Sequence, residues 1–455
     1  MNTRALECSK SLGAMAGRHA SMYTKTVLRG GLQVRQESRL AVEDKKDNVD
    51  DLLLMREKEV LDRQQHETHS TRLAANLSQS KLVAGGNPAQ KMQASVGRVQ
   101  GIPSLSESEE RRLDEMRTAQ SEIRDELQGV LKEFAAPIRY AFAYGSGVYK
   151  QSGYAAGSKP MVDLIFGVSH PDHWHAINLG RNRHHYSFLG SFGSGAVTIV
   201  QDRLGAGVYF NPFVEINGIM VKYGVVSMDT LSSDLLNWET LYLAGRMHKP
   251  TLTLRRDPLM RISKQVNLTH AVRVALLMLP KNFTSQELFQ TIAGLSFAGD
   301  FRMKIGGENP EKVRNIVEAQ MPLFKSRYSS IIEGLPNLEY IGQDILQQDM
   351  SAGTRAAMLR KMPNNFYNQL VRQGRKAGGG NLPPGLGAEM VNSQKLVALP
   401  DIEKIAQKAV ESIVARPALT QSLKGLLTSG MSKSIAYMRA KNDKYQQANK
   451  NNTKS

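Results

Sequence analysis

Apolar residues first fall into a regular pattern between Glu107 and Phe134. Leu113, Met116, Ile123, Leu127, Val130, Leu131 and Phe134 recur mainly at steps of three, four and seven. That spacing predicts one buried face of a helix, and Ser106 with Glu109 offers a capping box at its start. The pattern then changes. Ile138–Tyr144, after Pro137, and Met161–Val168 are short apolar runs of strand type. Val214–Ile216 and Ile219–Val226 predict a strand pair, because Asn217-Gly218 between them suits a two-residue hairpin turn. Helices are expected over Leu231–Ala244, Leu268–Met278, Ser285–Ala293 and Pro310–Glu333. Further on, Ile402, Ile405, Ala406, Ala409, Val410, Ile413 and Val414 form an apolar stripe that reads as core packing, with a membrane face as the alternative. Leu419, Leu423, Leu426 and Leu427 form a second stripe.

These elements predict an α/β (α+β) fold with a mixed sheet over 106–250. A mainly helical region over 251–345 follows, then an irregular stretch over 346–400, then amphipathic helices and a basic tail over 401–455. The irregular stretch is expected because Gly374–Gly387 holds six glycines and two prolines. Residues 41–105 are polar, charge-mixed and poor in aromatics, so a disordered linker is expected there. Residues 1–40 carry seven Lys or Arg (Arg4, Lys10, Arg18, Lys25, Arg29, Arg35, Arg39) against Glu7 and Glu37. Such Arg-rich, acid-poor leaders read as organelle transit peptides.

Composition narrows the partners. The 455 residues carry a formal net charge of +17, which favours nucleotides, nucleic acid or acidic lipid. The single cysteine, Cys8, falls in the leader, which argues against a disulfide-stapled secreted fold. No apolar run reaches the roughly 18 residues of a spanning helix. The best, Ala271–Leu279, is short and holds Arg273. A protein of this kind working on lipid would sit on a membrane surface rather than across it.

The candidate chemistry lies in Tyr144-Gly145-Ser146-Gly147-Val148-Tyr149, between two predicted strands, the second carrying Asp163. Glycines let phosphates approach a backbone closely. Their N–H groups and the Ser146 hydroxyl can bind phosphate oxygens, and Asp163 could hold Mg²⁺ against them. A tight strand-exit turn is the alternative reading. The segment is neither a P-loop nor a dinucleotide fingerprint. Lys222, on the later strand, reads either as a cation for phosphates or as a solvated strand lysine. His170, His173, His175, His184 and His185 cluster in a segment that reads as a loop. Without cysteines they suit zinc less well than polar contacts or structural hydrogen bonds.

A Gly-Ser turn followed by a strand-borne acid resembles the nucleotidyltransferase superfamily. The resemblance sharpens in ordered blocks: Asp163-Leu164-Ile165-Phe166, Trp174-His175, His185-Tyr186-Ser187, Gly205-Ala206-Gly207-Val208-Tyr209 and Lys222-Tyr223-Gly224-Val225. It continues in Asp234-Leu235-Leu236-Asn237-Trp238, Leu243-Ala244-Gly245-Arg246, Gly299-Asp300-Phe301-Arg302-Met303, Arg416-Pro417, Gln421-Ser422 and Lys424-Gly425. Over about 106–435 the chain resembles the mitochondrial phosphatidate cytidylyltransferases. The resemblance implies a nucleotidyltransferase-like domain followed by a winged-helix-like one, and a mitochondrial leader. It implies transfer of CMP from CTP to phosphatidic acid, on the path to cardiolipin and phosphatidylglycerol. Asp163 and Lys222 would be catalytic, and Gly145, Ser146, Gly147, His175 and Tyr186 would bind the nucleotide. Mg²⁺, with Mn²⁺ or Co²⁺ as substitutes, would sit on Asp163 with Glu215 as a candidate second ligand. Asp300, Arg302 and Lys424 would contact lipid or phosphate. The implied location is the matrix side of the mitochondrial inner membrane, peripherally bound to its anionic surface, and no nucleic acid is expected.

One position departs from the superfamily's Asp-x-Asp pattern: Ile165 stands where the second acid is usual. A phosphate nucleophile with a pKa of about 6 is already largely ionised and needs no extra base. Two other readings stay open: a nucleotidyltransferase acting on RNA or protein, though no aromatic RNP motif is present, and a non-enzymatic basic assembly factor of mitochondria.

Overall fold

The computed structural model describes residues 105–149, 160–304, 311–378, 382 and 389–429. The expected transit peptide, nearly all of the linker and the basic tail beyond 429 lie outside the described residues.

Helix α1 spans Glu107–Lys132 and opens with the expected capping box: Ser106 Oγ accepts the Glu109 N–H, and the Glu109 carboxylate accepts the Ser106 N–H. Strand β1 (Tyr140–Tyr144) pairs antiparallel with β2 (Val162–Val168). All but Asp163 of β2 is buried, so β2 reads as a continuous apolar run rather than an alternating one. Helix α2 (Pro171–Arg181), two 3-10 turns (Arg183–His185 and Phe188–Phe192) and α3 (Gly193–Arg203) lead to β3 (Tyr209–Ile216). β3 and β4 (Ile219–Ser227) form the expected hairpin. Asn217 and Gly218 both take positive φ, 51° and 75°, as its tight turn requires. β4 runs parallel to β2. Helices α4 (Met228–Asn237) and α5 (Ala244–Met247) follow, and β5 (Leu252–Arg255) closes the far edge against β1. The strand order is β3-β4-β2-β1-β5, a mixed sheet.

One face of this sheet packs Leu164, Phe166 and Tyr223 against Leu127, Val130 and Phe134 from the α1 end and Trp174 of α2. The other face, with Phe142, Ile165 and Phe210, belongs to a core that continues unbroken into the rest of the chain. That part contains α6 (Pro258–Met278), β6 (Asn282–Thr284), α7 (Ser285–Gly294), α8 (Phe301–Lys304), α9 (Lys312–Glu333), β7 (Leu338–Tyr340) and β8 (Ile345–Gln348). Its small sheet runs β6-β8-β7. Helix, strand, helices and a final strand pair in this order make a winged-helix arrangement. Helices α10 (Ala352–Leu359), α11 (Asn364–Lys376), α12 (Glu389–Val397) and α13 (Ile402–Ser429) complete the described chain. The stripe from Ile402 to Val414 is buried in the shared core.

Several expectations change. The helix expected over Leu231–Ala244 begins earlier and breaks at Trp238, whose φ of 57° is left-handed. The Trp238 ring is buried and its indole N–H donates to Asn267. β3 begins five residues before the apolar run that predicted it, because a bulge at 211–214, with Phe213 at φ 54°, interrupts the alternation. The histidine-rich segment is largely helix α2 rather than loop, with Pro171 in its first turn. The stretch 346–400, expected to be irregular, carries α10, α11 and α12. Leu359, Phe366, Leu370 and Leu396 from these helices are fully buried in the shared core. Gly374 lies inside α11, where a Cβ would stand 2.7 Å from Leu396. That glycine serves helix packing, not a loop.

Candidate active site

The turn after β1 is built by its glycines. Gly145 adopts φ 81°, and its carbonyl accepts the N–H groups of Val148 and Tyr149 at 3.1 and 3.0 Å. A Cβ at Gly147 would stand 2.8 Å from the Met161 carbonyl oxygen, so only glycine lets the turn lie on the start of β2. A Cβ at Gly145 would stand 3.4 Å from Asp163 Oδ2, so the turn backbone lies directly beside that carboxylate. Ser146 sits half-buried between the two glycines.

Sheet register brings the other partners in. Asp163 is opposite Tyr144 on β1 and opposite Lys222 on β4. Lys222 Nζ is 3.4 Å from Asp163 Oδ1, with both side chains about a quarter exposed, and 4.6 Å from the centre of the Phe210 ring. Thus Gly145, Ser146, Gly147, Asp163 and Lys222, picked out from sequence, meet at one end of the sheet on one face. Gly145 and Gly147 serve both readings, the tight turn and the backbone open to a ligand.

Arg246, met in the sequence only as the end of a resemblance block, stands beside Tyr144, and Lys249, not picked out from sequence, stands beside Arg246. The Arg246 guanidinium stacks 3.6 Å from the centre of the Tyr242 ring and 5.5 Å from that of Tyr144, and it donates to the Tyr242 carbonyl. The Tyr144 hydroxyl is pushed up to about 12, first by burial and then by the charge of Asp163. Lys249 donates to the Gly245 carbonyl at 2.6 Å and to Ser296 Oγ at 2.7 Å. Burial, then the nearby Arg246 and Lys312 charges, lower the Lys249 ammonium to about 7. Lys249 and Lys312 both lie over the Phe297 ring, at 5.0 and 5.3 Å. Lys222 and Arg246 therefore bring positive charge to Asp163, which suits a polyphosphate.

Arg246 is held in place by Asp234. This buried carboxylate accepts five hydrogen bonds: from the N–H and hydroxyl of Thr240 and the N–H groups of Leu241, Leu243 and Ala244. It thereby fixes the loop and the first turn of the short helix α5 that carries Arg246. The Asp-Leu-Leu-Asn-Trp and Leu-Ala-Gly-Arg blocks are thus one structural unit.

The remaining sequence candidates lie elsewhere or in other roles. His175 is fully buried on α2, its ring nitrogens 2.8 Å from the Tyr186 hydroxyl and 3.0 Å from Gln201 Oε1. Burial lowers it to about 4. Asn178 joins Tyr186 and Tyr223 to the same network, and His185 bonds the Tyr223 hydroxyl. His175 and Tyr186, expected at the nucleotide, are members of this interior network. Lys424, expected at lipid, is 1% exposed and donates to the carbonyls of Gln201 and Leu204 at 2.8 and 2.7 Å, capping the end of α3. Asp300 and Arg302 form a local forked ion pair, with their closest atoms 2.6 Å apart. Glu215 is exposed on β3, paired with Met220 near the hairpin turn. Among the described residues no group of three or more His, Cys, Asp or Glu could hold a metal ion. Asp163 beside the turn would offer a protein carboxylate, which fits Mg²⁺, commonly bound by one or two carboxylates with substrate phosphates and water supplying the rest.

Comparison with known proteins gives these residues a family. A match to the family described as "Phosphatidate cytidylyltransferase, mitochondrial" spans residues 127–444. The mouse protein of that name is 40% identical over 323 residues, covering 70% of this chain and 94% of its own. The fission yeast Schizosaccharomyces pombe protein of the same name is 36% identical over 334 residues, covering 71% of this chain and 84% of its own. A solved nucleotidyltransferase-like protein from Exiguobacterium sibiricum aligns at 13% identity with a TM-score of 0.18, covering 71% of this chain and 80% of its own. With a family match over most of its folded length and the glycine turn, Asp163 and Lys222 in one place, the chain belongs to the mitochondrial phosphatidate cytidylyltransferase family.

Proposed function

We propose that this protein transfers CMP from CTP to phosphatidic acid, giving CDP-diacylglycerol and pyrophosphate, on the path to cardiolipin and phosphatidylglycerol. The observation that carries the reading is the Asp163–Lys222 pair beside the Gly145–Gly147 turn, in a chain of this family. The reaction runs at the matrix face of the mitochondrial inner membrane. Among the described residues no helix is long and apolar enough to cross a membrane.

In the reaction a phosphate oxygen of phosphatidic acid attacks the α-phosphorus of CTP, and the bond to the leaving pyrophosphate breaks. The nucleophile is largely ionised at neutral pH, since its second pKa is about 6, so no general base is needed. Rate then comes from alignment and from neutralising charge in a partly desolvated cleft. The turn around Ser146 offers backbone N–H groups and a hydroxyl to the triphosphate. Lys222, Arg246 and Lys249 offset its negative charge. Asp163 would hold Mg²⁺, which when bound neutralises phosphate charge; Mn²⁺ or Co²⁺ would substitute. Lys222 would then turn from Asp163 toward the phosphates.

The test uses the full chain with labelled CTP, Mg²⁺ and liposomes containing phosphatidic acid. Label extracted with lipid is the expected result, with Asp163→Asn reducing it by roughly 100-fold or more. Label in RNA or protein, or full turnover by Asp163→Asn, would overturn the reading.

A further inference from the structure

Half of the large apolar side chains exposed among the described residues lie on three elements that touch one another. Phe188 and Phe192 on the second 3-10 turn are 57% and 70% exposed, Ile199 and Leu204 at α3 are 57% and 41%, and Leu419 and Leu423 on α13 are 46% and 55%. The two phenylalanine rings are 6.5 Å apart. The 3-10 turn packs on both α3 and α13. Lys424 bonds the Leu204 carbonyl, which sets Leu423 beside the end of α3.

The outer side of α13 changes character along its length. Lys404, Gln407, Lys408 and Ser412 face out from its first half. Where the helix runs alongside α3, Leu419 and Leu423 take that place. A helix with only a core to fill would have stayed polar outside, so this face is made to be covered.

Charge says by what. Arg203 and Arg416 are exposed on α3 and α13, with Asp202 the exposed acid beside Arg203. Beyond Ser429, residues 430–455 add Lys433, Arg439, Lys441, Lys444, Lys450 and Lys454 against Asp443 alone. Apolar side chains rimmed by cations suit the boundary between acyl chains and anionic headgroups. α3 packs along β3, the edge strand of the sheet that carries Lys222 and Asp163 further in.

We propose that Phe188, Phe192, Ile199, Leu204, Leu419 and Leu423 form the surface by which this protein seats on a bilayer containing anionic phospholipid. The assignment rests on the reading of phosphatidic acid as substrate. It goes further in naming the surface that meets the membrane.

The test compares the full chain with the variants Phe188→Ser/Phe192→Ser and Leu419→Ser/Leu423→Ser. Flotation is measured with vesicles of phosphatidylcholine alone and with added phosphatidic acid. Turnover of a water-soluble short-chain phosphatidate reports the site independently, and thermal melting reports the fold. Each variant should lose at least tenfold in partition onto anionic vesicles, while melting and short-chain turnover stay at the parent level. Unchanged vesicle binding by both variants would overturn the proposal. So would a dimer in the parent that becomes monomeric in the variants with vesicle binding intact, because a second copy would then be what covers the face. If short-chain turnover is absent in the parent while the variants still lose vesicle binding, the substrate reading falls and the membrane face stands.

Discussion

The Asp234 carboxylate accepts the backbone N–H of Ala244 at 3.0 Å, two residues before the arginine that stacks on Tyr242 and Tyr144. With its four other hydrogen bonds, one buried anion organises the passage from α4 to α5. Asp234→Asn keeps the shape but turns an amide donor toward backbone donors. The expected loss is about 3 kcal/mol of stability, read as a lowered urea midpoint, together with reduced kcat/KM for CTP as Arg246 loses its support. An unchanged midpoint would show that the loop does not depend on this carboxylate.

Lys222 should matter to substrate more than to folding, since its side chain is partly exposed beside Asp163. Lys222→Met is expected to lower kcat/KM for CTP by roughly 10- to 100-fold, with Lys222→Arg recovering part of the loss. Melting temperatures within a few degrees of the parent would separate this effect from misfolding. Equal activity in all three proteins would remove Lys222 from the reaction.

Three buried histidines make stability depend on acid. Burial, as the leading cause, lowers His175 to about 4, His248 to about 3 and His270 to about 4. The unfolded chain binds these protons near pH 6.5 and the folded chain does not, so stability is full above about pH 6.5 and falls as pH drops toward 4. Each group contributes about 1–2 kcal/mol of loss by pH 5. Denaturant titrations at pH 7.5, 6 and 5 should show this decline, and His175→Gln should flatten part of it. A stability profile level from pH 7.5 to 5 would contradict the burial of these rings.

Gly205 tests the seat of α13. At φ 71°, a Cβ there would stand 2.4 Å from Gln421 Oε1 and 3.2 Å from Gln421 Cα. Gln421 also accepts the Ala206 N–H and donates to the Val208 carbonyl. Gly205→Ala should therefore lower the melting temperature and speed proteolysis within α13. Parent-like cleavage would mean that α13 is held without this contact.

Legibility followed the kind of force involved. The Gly145 turn, the β2 run, the Asn217-Gly218 hairpin and the Ser106 capping box are local, and each could be read from a few neighbouring residues. The passage from Asp234 to Arg246 could not, because Asp-Leu-Leu-Asn-Trp has helical spacing and its aspartate looks like a solvated one. The interior network of His175 and Tyr186 was hidden for a related reason: hydropathy cannot tell a polar side chain that meets substrate from one satisfied inside the fold. Lys424 is the plainest case. A lysine among leucines reads as a surface charge, and only the approach of α3 from 220 residues earlier in the chain shows that it caps a helix end.

That distant grip has a consequence for how the protein is made. Gln421 and Lys424 close on backbone that was synthesised more than two hundred residues before them. A chain emerging from a ribosome or threading through a translocation pore must wait for α13 before the edge of the five-stranded sheet is complete. Until then the carbonyls at the end of α3 and the rim of β3 stand open, and such late, long-range closure makes for slow maturation and reliance on chaperones.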